Sequence, residues 1–304
     1  MSDELTMIID VLRSSGFNAA ELSIEERRQW LDSFAAAEPP TGALIDGLEV
    51  AGCPAEWIVA DGAREDRAIL WLHGGAFTSG GLRTHRGFAA ALSRFLGIAV
   101  VLLEYPLAPE FPFPAALDAA VGAYRWLLDD RSLTPEQILI GGDSAGGGLA
   151  LSTLVALREL GVPQPAGAVL LSPWTDLTMS GPSYDTEAEE DPMCSRQALE
   201  LSVVAYVGDH PREDPRCSPV RGDLSSLAPL LIHVGTREVL RDDSVAIGDL
   251  VAASGGEVEL WVAPGMIHVW HLFTGIVPES DEALERVAAW ARPRLGLAEL
   301  RAQG

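Results

Sequence analysis

The pentapeptide Gly142-Asp-Ser144-Ala-Gly146 sets one hydroxyl among small and acidic neighbours. The apolar stretch Gln137 to Ile140 reads as a strand before it, and Leu149 to Leu160 reads as a helix after it. A strand that turns sharply into a helix holds the residue at the turn in a strained, outward-facing conformation that tolerates only small neighbours. Ser144 would then stand at the end of a sheet and at a helix N-terminus. That is a place for a nucleophile and for amides that hold a developing oxyanion. A glycine-rich turn with a structural serine is the plainer reading, and the strand and helix on the correct sides weigh against it.

A second loop completes the chemistry. Ile69 to Leu72 reads as a buried strand that runs into His73-Gly74-Gly75-Ala76-Phe77. Acyl transfer needs N–H groups aimed at the oxygen that turns negative in the tetrahedral intermediate, and consecutive glycines let the main chain approach it closely. The amides of Gly74 and Gly75, with that of Ala145 after the nucleophile, are the expected three donors. Each such donor is commonly worth roughly a hundredfold in rate or more. An ordinary glycine turn closing a strand is the competing reading.

Beyond these motifs the chain carries Glu104-Tyr-Pro-Leu-Ala-Pro-Glu110, Phe111-Pro-Phe-Pro-Ala-Ala-Leu-Asp118 and Ser172-Pro-Trp-Thr-Asp176. Taken together, the sequence resembles, over nearly its whole length, the hormone-sensitive-lipase-like branch of the α/β-hydrolase esterases. That group has an HGG(G/A) oxyanion motif and a GDSAGG elbow. Here Ala76 replaces the third glycine, with the first two expected to supply the donors.

The α/β-hydrolase order is nucleophile, acid, histidine, so the base should come last. Of the six histidines, His73 belongs to the oxyanion loop and His233 to the apolar run Pro229 to Gly235. His268, in Gly265-Met-Ile-His268-Val-Trp270, follows strand Val258 to Val262 and lies where the family pattern G-M-x-H-x-(F/W) puts the base; His271 competes with it. The acid should follow the strand ending at Gly235, in Thr236-Arg-Glu238-Val-Leu-Arg-Asp242-Asp243. The family usually writes this segment D-P-L-x-D, and aligning the leucine favours Glu238 over Asp242. A glutamate can orient an imidazole if the loop allows for its extra methylene. Asp242 and Asp243 can alternatively cap a helix from Ser244 to Ala253.

These residues need a scaffold. From Glu56 onward apolar strands alternate with helical patterns, the signature of a parallel sheet flanked by helices. The fold class expected is α/β: an α/β-hydrolase fold with a mostly parallel sheet of about eight strands and a helical lid. Residues 1–42 and 179–216 break the alternation, and the resemblance implies that they form the lid, with the catalytic core in 43–178 and 217–304. In the first segment Met7, Ile8, Val11 and Leu12 form one apolar stripe, and Ile24, Trp30, Leu31 and Phe34 another. The second leads into a helix, Ser195 to Tyr206, and solvated surface helices are the alternative for both. Trp30, Phe34, Tyr206 and Ile267 are candidates for lining the substrate pocket. Ala115 to Asp129 should be a helix with Leu117, Val121, Tyr124 and Leu128 on one face, and Asp143 is read as a loop-holding residue.

The 304-residue chain has 44 acidic and 21 basic side chains, net −23, and every base is arginine. Such a field disfavours nucleic acid and anionic membranes and, at long range, favours neutral or cationic substrates. Cys53, Cys194 and Cys217 show no metal or disulfide spacing, no cofactor is implied, and no apolar run is long enough to span a bilayer. The acidic N-terminus lacks a signal-peptide pattern, so a cytoplasmic enzyme is expected. The expected partner is a small-molecule ester of short-to-medium acyl chain, and the resemblance also implies a homodimer through an edge strand. A lactone hydrolase or deacetylase could use the same residues, and so could a receptor on this fold; the receptor reading is disfavoured because Ser144 and His268 are both present.

Overall fold

The computed structural model describes residues 1–15, 22–33 and 40–298. Its centre is one eight-stranded sheet in the order β1-β2-β4-β3-β5-β6-β7-β8. The strands are β1 (Ala43–Val50), β2 (Cys53–Ala60), β3 (Arg64–Leu72), β4 (Ile98–Leu103), β5 (Ile138–Asp143), β6 (Gly167–Leu171), β7 (Leu230–Gly235) and β8 (Val258–Ala263). Only the β1–β2 and β2–β4 pairs are antiparallel. The others run parallel, joined through helices as a parallel sheet requires.

The strand sequences explain the layering. β4 is Ile-Ala-Val-Val-Leu-Leu and buried throughout, as expected of a strand covered on both faces. Along β3, Leu70 and Leu72 enter one core while Ile69 and Trp71 enter the other. The second core is covered by α3 (Leu82–Leu96) and α9 (Pro278–Arg294); the first is packed by α4 (Ala115–Asp129) and α5 (Ala145–Glu159). On α4 the buried face comprises Leu117, Tyr124 and Leu127 with small alanines, and Val121 and Leu128 are only partly covered.

The N-terminal segment forms α1 (Asp3–Ser15) and α2 (Ile24–Ser33). The buried stripe of α1 is Leu5, Ile9 and Leu12, whereas Met7 and Val11 of the expected stripe are 66% and 46% exposed. Positions 5, 9 and 12 keep helical spacing through the residues that meet Met266, Ile267 and Trp270, which places α1 on the loop carrying His268. The 179–216 segment contributes α6 (Ser183–Thr186) and α7 (Arg196–Val207), and α8 (Arg241–Ala253) follows β7. Among the described residues, no helix is long and apolar enough to cross a membrane.

Candidate active site

Ser144 sits between β5 and α5 with φ 53° and ψ −122°, a left-handed backbone that a non-glycine residue rarely adopts. The turn is tight. A Cβ on Gly146 would overlap the carbonyl oxygen of Leu72 at the end of β3, so the elbow and the oxyanion strand pack backbone to backbone.

The side chain of Ser144 meets His268, whose Nε2 is 2.9 Å from Oγ. On the far side of the ring Nδ1 is 2.9 Å from Glu238 Oε2. Glu238 is fully buried, and its other oxygen accepts the Gly235 amide at 2.5 Å and the Ser172 hydroxyl at 2.8 Å. Ser172 Oγ in turn accepts the Val269 amide at 3.1 Å, joining the acid to the histidine loop. Burial pushes the Glu238 carboxyl up, against the pull of His268 and the Gly235 amide. Burial works against charging His268, but Cys194 and Glu238 prevail and hold the ring well above its ordinary value. Since burial also raises the Cys194 thiol, that group stays neutral and the carboxylate is the effective partner.

The competing residues lie elsewhere. Asp242 Oδ2 accepts the Ser183 amide at 2.8 Å, and Asp242 pairs with Arg241. Asp243 is not a cap: it is buried and accepts the amides of Thr175 and Asp176 at 2.8 and 2.9 Å and the Tyr184 hydroxyl at 3.0 Å. His271 faces His233 at 3.2 Å, and burial keeps both rings neutral, His233 at about 3.

The oxyanion loop corrects one expectation. Gly74 does not offer a free amide: its N–H donates to Asp143 Oδ2 at 3.1 Å. Asp143 also accepts from His85 Nε2 at 3.2 Å and Trp71 Nε1 at 3.1 Å, so it holds loops as expected. Burial alone would lift its carboxyl, but the charge and hydrogen bond of His85, with His73 and Trp71, hold it below the usual range. Beyond Gly74, Gly75, Ala76 and Phe77 have φ of 117°, 54° and 61°, a coil in which successive amides can converge on an anion. The amides of Gly75, Ala76 and Ala145 meet no acceptor among the described residues. His73 buttresses this loop, stacked on Tyr105 at 4.2 Å and kept neutral by burial at about 3.

A cavity of about 90 Å³ opens on Ser144 and His268. Both segments expected to form a lid contribute walls: Arg27 and Leu31 from α2, and Met193, Cys194, Ala198, Leu199 and Ser202 from the insertion. Of the expected lining residues, Trp30, Tyr206 and Ile267 do not border it. Tyr206 is buried behind Phe77, stacked at 3.9 Å, because its ring completes the core under α7. Ile267 is fully buried in the α1 cluster, Trp30 packs at the edge of that cluster, and Phe34 lies outside the described residues. Sequence reasoning missed Ala76, Ser172, Arg27 and Asp191. Asp191, 2% exposed, accepts the amides of Met193 and Cys194 at 2.9 Å and of Val239 at 3.0 Å, which ties the insertion to the residue after Glu238.

Residues 69–272 match a family model described as alpha/beta hydrolase fold. An acetyl-hydrolase of Streptomyces hygroscopicus is 37% identical over 97% of this chain and 98% of its own. An esterase of Acinetobacter venetianus is 35% identical over 81% of each chain. A crystal structure of an esterase from the bacterial hormone-sensitive lipase family superposes with a TM-score of 0.93 at 39% identity, over 97% of this chain and 99% of that one. The esterase EstE5, in a crystal soaked with p-nitrophenyl butyrate, gives 0.93 at 39% identity over 97% and 100%. This chain belongs to the α/β-hydrolase family, in its hormone-sensitive-lipase-like branch of esterases.

Proposed function

We propose that the protein is a serine carboxylesterase acting on esters of short-to-medium acyl chain, with Ser144, His268 and Glu238 as its catalytic residues. The observation that carries this reading is the unbroken chain Glu238–His268–Ser144, with 2.9 Å at each link, beside three amides that meet no acceptor among the described residues. His268 Nε2 takes the Ser144 proton as Oγ bonds to the ester carbonyl carbon, and the carbonyl electron pair moves onto oxygen. That oxyanion is held by the amides of Gly75, Ala76 and Ala145. Collapse breaks the bond to the alcohol oxygen, which leaves with the proton from His268. Water then repeats the cycle on the acyl-enzyme and frees the acid and Ser144. Glu238 keeps its negative charge throughout, fixing the tautomer of the ring and stabilising its charged form. No metal or organic cofactor enters this scheme.

The small cavity favours short acyl groups, and so does the acetyl-hydrolase name of a relative at 37% identity. The same relative favours a second reading, removal of an acetyl group from an amide or hydroxyl of a small molecule. We read residues 1–42 and 179–216 as the lid, since both supply cavity walls and neither supplies a residue to the reacting chain. A homodimer would use an edge strand, β1 or β8, and light scattering tests it. A cytoplasmic setting fits Cys53, Cys194 and Cys217, none of which forms a disulfide among the described residues. The deciding test is turnover of p-nitrophenyl acetate, butyrate and octanoate by wild type and Ser144→Ala, with folding checked by circular dichroism. Turnover peaking at short chains and lost in the variant is expected; none by a folded wild type sinks the esterase reading.

A further inference from the structure

Arg27 is a buried cation at the cavity wall, and among the described residues it has no counter-charge. It lies on α2 with 8% exposure. Nε donates to the Leu22 carbonyl at 3.2 Å and Nη1 to the Ala198 carbonyl at 2.9 Å. Nη2 is buried and has no hydrogen-bond partner. Among the described residues no carboxylate pairs with Arg27, while its neighbour Arg28 holds Glu110 through two contacts of 2.7 Å. A guanidinium stays charged, and a buried charge is ordinarily paired because two neutral carbonyls do not replace its hydration. Two N–H donors of Nη2 are unused, on a side chain that borders the same cavity as Ser144 and His268. Leu31, Ala198 and Leu199 give the same wall apolar surface, alongside the Ser202 hydroxyl. An anion entering this cavity would be desolvated beside a planar fork suited to carboxylate.

We propose that Arg27 is a specificity-determining residue that binds a carboxylate carried by the substrate. The favoured esters are then those with a negative group away from the scissile carbonyl, on either the acyl or the alcohol side. The net charge of −23 opposes anions at a distance, and Asp143 also borders this cavity, so Arg27 must act through short-range contact. The inference rests on the serine-esterase reading, and its test separates the two.

Two isosteric pairs are compared by pH-stat: monomethyl glutarate against methyl glutaramate, and 3-acetoxypropionate against its primary amide. The first places the carboxylate on the acyl side, the second on the alcohol side. In the wild type one acid should exceed its amide about tenfold or more in kcat/KM, mostly through KM. Arg27→Gln and Arg27→Met should erase that preference while retaining kcat on the amides. Wild type that hydrolyses both amides but prefers neither acid overturns the proposal and leaves the esterase reading intact. Equal losses on acid and amide in the variants also overturn it, because they make Arg27 only a tie between α2 and Ala198. Calorimetry with glutarate supplies a readout independent of turnover: binding by wild type, weakened about tenfold or more in Arg27→Gln, supports recognition even if p-nitrophenyl esters are inert. No binding by wild type overturns it.

Discussion

Two buried carboxylates flank Ser144, and each collects the same kinds of donor: one histidine ring, one glycine amide and one further side chain. Glu238 takes His268, Gly235 and Ser172; Asp143 takes His85, Gly74 and Trp71. Each histidine then reaches a hydroxyl, His268 to Ser144 at 2.9 Å and His85 to Thr84 at 2.8 Å. The chemical inventory is nearly identical, and what separates the two is where the hydroxyl stands. Ser144 occupies the strained elbow before α5, facing a cavity and free amides. Thr84 lies inside the first turn of α3, where its oxygen accepts the Gly81 amide and donates to the Gly81 carbonyl, both at 3.0 Å. An acid–histidine–hydroxyl chain is therefore not in itself a nucleophile; position relative to an oxyanion site makes it one.

The sharpest way to break this comparison is to remove each hydroxyl. Ser144→Ala should lower p-nitrophenyl butyrate turnover by about ten-thousandfold or more. Thr84→Ala should leave it within a few-fold and cost about 1 kcal/mol in thermal or denaturant unfolding, the usual size of a lost cap. The acids come next. Glu238→Gln should cost about a thousand- to ten-thousandfold in kcat, since the ring loses its orienting charge.

That variant should also move the pH profile. His268 acts as base only when neutral, so kcat/KM is full above its pKa and falls as pH drops through it. The ring is held above the usual histidine value, with Glu238 as its charged partner, and so the acid limb should shift to lower pH in Glu238→Gln. A limb that stays in place would mean that Glu238 does not set the charge of His268. Asp143→Asn should act through the oxyanion loop instead: about ten- to a hundredfold in kcat, little change in the acid limb, and about 1–3 kcal/mol of stability. The smallest effect is expected for Ser172→Ala, about tenfold or less in kcat at unchanged KM, because Glu238 keeps its contact with the Gly235 amide.

The residues of the proposed catalytic chain were legible because such chemistry demands local sequence. Gly146 has no room for a Cβ and Ser144 needs its elbow, so the pentapeptide announces both. Loop alignment sufficed to favour Glu238, which reaches His268. The Gly74 expectation failed by one residue because the carboxylate that consumes its amide, Asp143, is 69 positions away in the chain. The strands were readable from apolar runs, but the face of α1 was not, since Met7 and Leu5 are equally apolar and only docking on Met266 and Ile267 distinguishes them. Arg27 sits in Ile-Glu-Glu-Arg-Arg-Gln, a stretch that reads as solvated surface. Burial there is imposed by α7 from across the fold, and no pattern within α2 records it.

The cavity has two kinds of wall. Ser144 and the oxyanion loop come from strand ends whose backbones are in contact, as Gly146 and Leu72 show, and His268 follows β8, whereas α2 and the 179–216 segment supply much of the remaining wall. Mutational tolerance should divide along the same line. Random libraries aimed at the strand ends would yield mostly dead variants, because a change in one motif demands a matching change in the other. Libraries restricted to Leu31, Met193, Leu199 and Ser202 would sample new substrate shapes on intact chemistry, which makes these two segments the natural place to redirect the enzyme.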